Sequence, residues 1–440
     1  MNVKRIFIIL LVLIALPLVI PAPGQAIPAF ARKYGFNCMM CHTAYPKLND
    51  WGQRYRDNGY QLPGQTGKEK TAFDSHTPIA LRTTTGFNGY NASPVTAGSF
   101  DLMGLDLLAA GVMHKNVSVL LIYTPRIDEP SADATGTEPL QLGTLESANI
   151  VFSIIIPNAL NVRIGRFEPA YHLFSSKRSF YLNEPYEVYE YKSNSNFAFG
   201  DNQAGIEATG HFKMGFKYGL GIVNGTGATA ENNKFKDVYL ALTQTFGPGD
   251  GQSAGQRVGV FAYYGNQQPY ALAVWDTSVA GIEPDTITSF TWYDKAKPLY
   301  RYGASGSLNW KTLNLTALYM RGLDDKAWNF LEKSEKDYEF QGGFVELDYG
   351  GLWNNRLIAS VLYNWVAPPC YDATKMPDGY STLNKINAYS TLVRYYLGDW
   401  NAVNVALHAE YTYRTHEQKS NKGTVPFKEN YYSMLVDFGF

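Results

Sequence analysis

The sequence predicts an all-β fold: an outer-membrane β-barrel of about sixteen strands, preceded by a small N-terminal α-helical segment. Three observations carry this. From about Pro78 to Phe440 the chain runs in segments that alternate apolar and polar residues, each ended by Gly, Asn, Asp or Pro. The connections between those segments alternate between short and long. The 440 residues are 15% aromatic, with 32 Tyr and 40 Gly but only 18% charged, which suits a wall with aromatic girdles and tight turns. The same charge pattern excludes other classes. Its 38 basic and 39 acidic residues nearly cancel, so there is no basic surface for nucleic acid. The 45% apolar content is too high for a disordered chain.

Taken in order, residues 1–26 are an export signal. Lys4 and Arg5 precede an apolar run from Ile6 to Ile20, and Gly24-Gln25-Ala26 supplies small residues for cleavage. Pro17 interrupts the run, which is short for a retained spanning helix. Cleavage leaves 36 basic and 39 acidic residues, a net charge of −3. No later stretch approaches the length of a spanning helix, so any membrane-spanning part is β.

Residues 27–62 form a unit around Cys38-Met39-Met40-Cys41-His42. This C-x-x-C-H string is the pattern of covalent haem c attachment, with one haem per motif. Two thiols three residues apart meet the two vinyl groups on one porphyrin edge, and the adjacent His reaches the iron. A thioredoxin-type redox pair would need a βαβ surround, and half a zinc site would need further ligands; neither is present. Pro28 to Tyr34 reads as a short helix stopped by Gly35, and about Lys47 to Asn58 as a second, with Leu48, Trp51 and Tyr55 on one stripe and Gly59 at its end. About forty residues cannot build a core alone, so the porphyrin supplies most of the filling. Residues 63–77 are a linker.

The run Ala26-Ile27-Pro28-Ala29-Phe30-Ala31-Arg32-Lys33-Tyr34-Gly35, then Cys38, Cys41 and His42, then Pro46, Leu48, Gly52, Asn58, Gly59 and Tyr60, resembles the N-terminal segment of the fused monohaem cytochrome–porins. These are outer-membrane proteins of iron-oxidising bacteria, with relatives in metal-respiring bacteria. The sharp match covers roughly residues 26–62. Trp51 and Tyr55 stand where that family more often has Phe. The resemblance implies electron transfer across the outer membrane, with extracellular Fe(II) as the best-known donor and a periplasmic cytochrome c or similar carrier as acceptor. It also implies, if anything enzymatic, a cytochrome-type Fe(II) oxidoreductase. Cys38 and Cys41 would attach the haem and His42 would be its axial ligand. For the sixth iron position the sequence offers His76 in the linker and His408 and His211 facing the lumen, alongside water or an empty site. No Met lies between Cys41 and Met103.

Residues 78–440 then read as sixteen strands: 79–91, 99–113, 117–126, 144–156, 160–168, 203–213, 214–225, 236–246, 257–266, 298–311, 313–323, 340–350, 356–366, 386–398, 403–415 and 431–440. An even number returns both ends to the periplasmic side. Turns such as His114-Lys115-Asn116 and Lys311-Thr312 are tight, while 127–143, 169–202, 267–297, 324–339, 367–385 and 416–430 are long, as expected of periplasmic turns and outer loops. The connection 247–256 is long for its side and leaves the count open by two. The last strand puts Tyr432, Met434, Val436, Phe438 and Phe440 on one face, resembling the terminal signal of outer-membrane assembly. Leu318, Met320, Ile358 and Leu362 face inward, which calls for something dry inside the barrel; the haem segment is the candidate. Cys370 is incidental. Gly165 to Pro169 and Arg178 serve either a pore constriction or a loop fold. Asn224-Gly225-Thr226-Gly227 is no phosphate cradle, and no catalytic triad or dinucleotide fingerprint is present.

Two functions follow. One is a conduit that takes electrons inward from extracellular Fe(II), or runs outward to an external metal acceptor. The other is a diffusion porin whose haem is structural or peroxidatic.

Overall fold

The structure is a computed structural model. It describes residues 29–36, 40–62, 64–75, 78–125, 143–156, 159–183, 185–193, 195, 197–227, 231, 233–247, 255–267, 272–275, 287–291, 296–328, 336–353, 355–369, 381–397, 404–420 and 422–439. The export segment, Cys38, His76, Cys370 and most of the connections 127–143, 267–297 and 367–385 lie outside the described residues.

The N-terminal unit contains α1 (Ala29–Tyr34), the two-stranded pair β1 (His42–Ala44) and β2 (Lys47–Leu48), α2 (Asp50–Asp57) and, in the linker, the single turn α3 (Ala72–Ser75). The second helix therefore starts at Asp50 rather than Lys47. Lys47 and Leu48 pair instead with Ala44 and His42, and Asn49 caps the helix by accepting from the Gly52 N–H at 2.8 Å.

Sixteen strands close the barrel: β3 (Ile79–Ala92), β4 (Val95–His114), β5 (Val117–Pro125), β6 (Gly143–Ile156), β7 (Leu160–Phe167), β8 (Gln203–His211), β9 (Phe216–Val223), β10 (Asp237–Phe246), β11 (Gln256–Gln267), β14 (Lys297–Trp310), β15 (Leu313–Asp324), β16 (Tyr338–Leu352), β17 (Leu357–Ala367), β18 (Ser381–Tyr396), β19 (Asn404–Ser420) and β20 (Gly423–Gly439). Each pairs antiparallel with its neighbour in sequence, and β20 meets β3 to close the ring, from Asn430 opposite Asn91 to Gly439 opposite Arg82. A small hairpin, β12 (Leu272–Trp275) with β13 (Ile287–Thr291), lies in one connection outside the ring. The long 247–256 turn leaves the count at sixteen.

The pleat places the faces as the alternation requires. On β15, Leu318 and Met320 are 4% and 1% exposed, whereas Leu315 and Tyr319, on the opposite phase, are 37% and 42% exposed on the outer wall. Buried Phe344, Glu346 and Asp348 alternate with exposed Val345, Leu347 and Tyr349 on β16. One expected loop is strand. Residues 416–430 continue β19 and β20 as a hairpin that turns at Ser420 opposite Gly423. Its polar run Thr415-His416-Glu417-Gln418-Lys419 has no apolar face, so hydrophobic alternation could not announce it; backbone pairing and cross-strand pairs such as His416 stacked on Phe427 at 5.0 Å extend it.

The lumen is filled mainly by the connection between β7 and β8, residues 168–202, which holds a 3₁₀ turn at Ser176–Arg178 and α4 (Glu187–Glu190). Tyr171, Phe174, Phe180, Tyr181, Tyr186, Tyr189, Phe197 and Phe199 are all buried. Tyr186 stacks on Phe344 at 4.0 Å, Tyr171 meets Tyr239 at 4.8 Å, and Phe199 meets Phe261 at 5.0 Å. Each such side chain contributes about 1.5–3 kcal/mol by leaving water. Arg414 on β19 pins α4 through Glu187, and Glu410 accepts the Leu182 N–H at 2.9 Å. The inward apolar residues thus pack chiefly on this loop, joined by Ala44 and Tyr45 of the N-terminal unit.

Sidedness follows from connection length. In a Cys370→Ala background, Lys422→Cys should react with an impermeant maleimide on whole cells and Lys311→Cys should not. Labelling of both would reverse or abolish that orientation.

Candidate functional site

The N-terminal unit sits inside the short-turn end of the barrel. Buried ion pairs seat it. Asp57 accepts from Lys217 of β9 at 2.6 Å, from His211 of β8 at 3.0 Å and from its neighbour Arg56 at 3.1 Å. Arg56 also reaches Glu168 at 3.2 Å, and Arg178 pairs with the same carboxylate. Lys47 bridges Asp348 at 2.6 Å and Glu346 at 3.1 Å on β16. Burial alone would raise the Asp57 carboxyl, but Lys217 and Arg56 outweigh it and hold the group well below the usual carboxylate range. Glu168 is held low in the same way by Arg178 and Arg56. A depressed carboxylate adds its full stability at pH above its unfolded value near 4, and loses it progressively as pH falls from there through the lower folded value. The unit should therefore be fully seated above about pH 5 and loosen steadily as pH falls below about 4. Asp57→Asn should loosen it by about 3–5 kcal/mol, because Lys217 and Arg56 would be left buried with less compensation. Hydrogen exchange of residues 47–60 measures this, and unchanged protection would contradict it.

Between this unit and the β3–β6 wall lies a cavity of about 500 Å³. Phe30, Tyr34, Phe36, Leu48, Trp51 and Tyr55 line one side, and Ala80, Leu108, Ala110, Leu120 and Ile122 line the barrel side. The aromatic side is itself packed: Phe30 stacks on Tyr60 at 4.8 Å and Trp51 on Tyr55 at 5.5 Å. Cys41 and His42 both open onto the cavity. So do Arg82, Lys177 and Arg178, together with Asp106, Glu146 and Glu168.

Local structure sets the two motif residues. The His42 Nδ1–H donates to the Pro46 carbonyl at 3.0 Å, which leaves Nε2 as the nitrogen with the lone pair. Burial pulls the ring down to about 4, so it is neutral. The turn at Met40 and Cys41 is tied to α2 at three points. The Asn49 N–H donates to the Cys41 carbonyl at 3.0 Å, its Nδ2 donates to the Met40 carbonyl at 3.1 Å, and Gly52 lets the helix lie against Cys41. A Cβ at Gly52 would overlap the Cys41 carbonyl oxygen. Gly59, at φ +64, ends α2 where its carbonyl accepts from Ser118 of the barrel wall.

The other proposed iron ligands fall elsewhere. His408 is buried on β19 with its Nε2 3.0 Å from Glu410, and His211 is engaged by Asp57; neither lines the cavity with His42. Cys38 and His76 lie outside the described residues. Gly165 to Pro169 and Arg178 serve the loop fold, through Glu168 and its two arginines. Sequence reasoning missed Arg82, Tyr45 and the Asp57 and Lys47 anchors. The only available signal was that inward Leu108, Leu120 and Ile122 needed an apolar partner. Among the described residues, no group of three or more His, Cys, Asp or Glu side chains is arranged to hold a bare metal ion.

No protein-family model matches the chain, and no curated protein matches it. Solved structures do. OmpT, an outer-membrane protein of Vibrio cholerae in its trimer form, superposes with a TM-score of 0.51 at 11% identity, over 82% of this chain and 98% of that one. OmpF of Salmonella typhi, in complex with daunomycin, gives 0.50 at 8% identity, over 82% and 97%. At such identities the likeness is one of fold, and the fold of this chain is the closed sixteen-stranded antiparallel barrel of outer-membrane porins.

Proposed function

We propose that the protein is an outer-membrane electron conduit, in which residues 27–62 carry one covalent haem c inside the barrel of residues 78–440. The observation that supports this best is His42. It stands in a C-x-x-C-H motif, held by the Pro46 carbonyl so that Nε2 is the free nitrogen, on the wall of a cavity of about 500 Å³. That volume lies within the range of sites for large ligands, and the lining has the aromatic and aliphatic character a porphyrin needs. Cys38 and Cys41 would form the thioethers and His42 would bind the iron, while Arg82, Lys177 and Arg178 suit the carboxylates of the haem edge.

When bound, the haem supplies one-electron transfer between Fe(II) and Fe(III). The chain's own residues do the rest. Pro46 fixes the imidazole, Asn49 and Gly52 hold the attachment turn, and the aromatic side of the cavity keeps water from the ring. The donor favoured is extracellular Fe(II), and the acceptor a periplasmic cytochrome c. Ferric iron is insoluble near neutral pH, so the oxidation is best kept outside. The same conduit run outward to an external metal acceptor needs no different residue.

A diffusion porin with a structural or peroxidatic haem is the second reading, and the barrel's likeness to porins favours it. The aromatic packing of residues 168–202 across the lumen favours the conduit. Ferrous iron supplied outside intact cells should reduce the haem; a haem that stays oxidised under that treatment favours the porin.

A further inference from the structure

Among the described residues, the short-turn end of the barrel has an uneven charge: Lys68, Lys70, Lys115, Lys213 and Lys311 are exposed there and Arg356 is half-exposed, whereas the exposed carboxylate is that of Asp74. Glu69 turns back to Lys33 at 3.2 Å. The mature chain carries a net charge of −3, so the sign of this rim does not follow from composition. Backbone shape does not ask for it either. Lys115 and Lys311 occupy left-handed positions at φ +43 and +53, where Gly or Asn sits at lower cost.

Two of these lysines flank one contact. Gly67 packs on the side chain of Asn116, so the linker passes the 114–116 turn at the residues next to Lys68 and Lys115, with Lys70 two residues further on. The carbonyl of Lys70 accepts from Lys33 Nζ at 3.3 Å, and Lys33 belongs to α1, whose Phe30 and Tyr34 line the cavity. The basic patch therefore lies one short helix away from the cavity that holds His42.

We infer that this patch, with Lys68, Lys70 and Lys115 at its centre, docks an acidic soluble redox protein on the periplasmic side. Electrostatic steering by such a rim acts before contact, raises the association rate and orients the partner, and it weakens as salt screens it. The inference deepens the conduit reading by giving the partner a sign and a place. The redox nature of the partner rests on that reading, while the charge complementarity does not.

The test uses the full protein in nanodiscs of zwitterionic lipid, which removes anionic headgroups as competitors. The probe is a soluble monohaem cytochrome c of acidic isoelectric point, with a basic cytochrome c as the contrast. The acidic probe should bind, and its dissociation constant should rise about tenfold between about 50 and about 200 mM salt. Lys68→Glu/Lys70→Glu/Lys115→Glu should weaken it by about tenfold or more at low salt. Lys422→Glu/Lys428→Glu at the opposite end should leave it unchanged, and haem staining should be equal in all variants. Equal binding by wild type and the triple variant, or tighter binding of the basic probe, overturns the docking surface and leaves these lysines to lipid headgroups. If no variant stains for haem but the salt-sensitive binding persists, the cofactor reading falls and the docking surface stands.

Discussion

Replacing Cys38 and Cys41 together by alanine should abolish haem staining of the denatured mature chain. Thioether bonds survive denaturation, whereas an iron–imidazole bond does not, so stain in a denaturing gel reports the two sulfurs alone. Either single replacement should leave weaker stain. His42→Ala should shift the visible spectrum of whatever remains attached. The apolar walls that face the cavity, Leu48, Trp51, Leu108 and Leu120 among them, would then border an empty space of about 500 Å³. An unfilled cavity of this kind weakens a fold, so the double variant should also melt at lower temperature. Full stain in the double variant would end the haem assignment.

The second large effect is on ion flow. Residues 168–202 cross the lumen and pack their aromatics on β9 to β18, so the wild-type barrel should conduct far less than an open sixteen-stranded porin in planar bilayers. Replacing 171–199 by a short Gly-Ser link should raise the conductance several-fold. Tyr186→Ala tests the same point without deletion. It removes the stacking on Phe344 at 4.0 Å and the hydrogen bond to Glu346 at 2.7 Å, a loss of about 3–5 kcal/mol, and should produce flickering openings. A wild-type channel as open as the loop-less one would favour the diffusion porin.

What was legible in the sequence divides along physical lines. The sixteen strands could be read because a wall between lipid and lumen imposes a period of two, and each of the sixteen expected segments is a strand. Even the inward phase of Leu318, Met320, Ile358 and Leu362 could be read. What covers them could not. The loop 168–202 has no periodicity, and its aromatics carry no mark of their partners on strands far away in sequence. The hairpin beyond Thr415 was hidden because its first strand is polar on both faces. Around the cavity, Cys41 and His42 announced themselves through spacing and Gly59 as a helix stop, while Gly52 stood out only through the family resemblance. Asp57 and Lys47 did not, because their partners Lys217, Glu346 and Asp348 lie more than a hundred residues away and meet them only after the barrel closes. His408 and His211 looked like iron ligands because they face inward, but inward is a direction shared by the whole circumference.

The central claim is that a haem at His42 accepts electrons from ferrous iron. The direct measurement is anaerobic stopped-flow mixing of the oxidised, purified full-length protein with Fe(II), followed at the haem absorption bands. Reduction is expected within seconds, at a rate that depends on Fe(II) concentration, with no such signal from the Cys38→Ala/Cys41→Ala variant. A haem that stays oxidised in Fe(II) while a reduced periplasmic cytochrome reduces it readily would contradict the account and reverse the direction of electron flow.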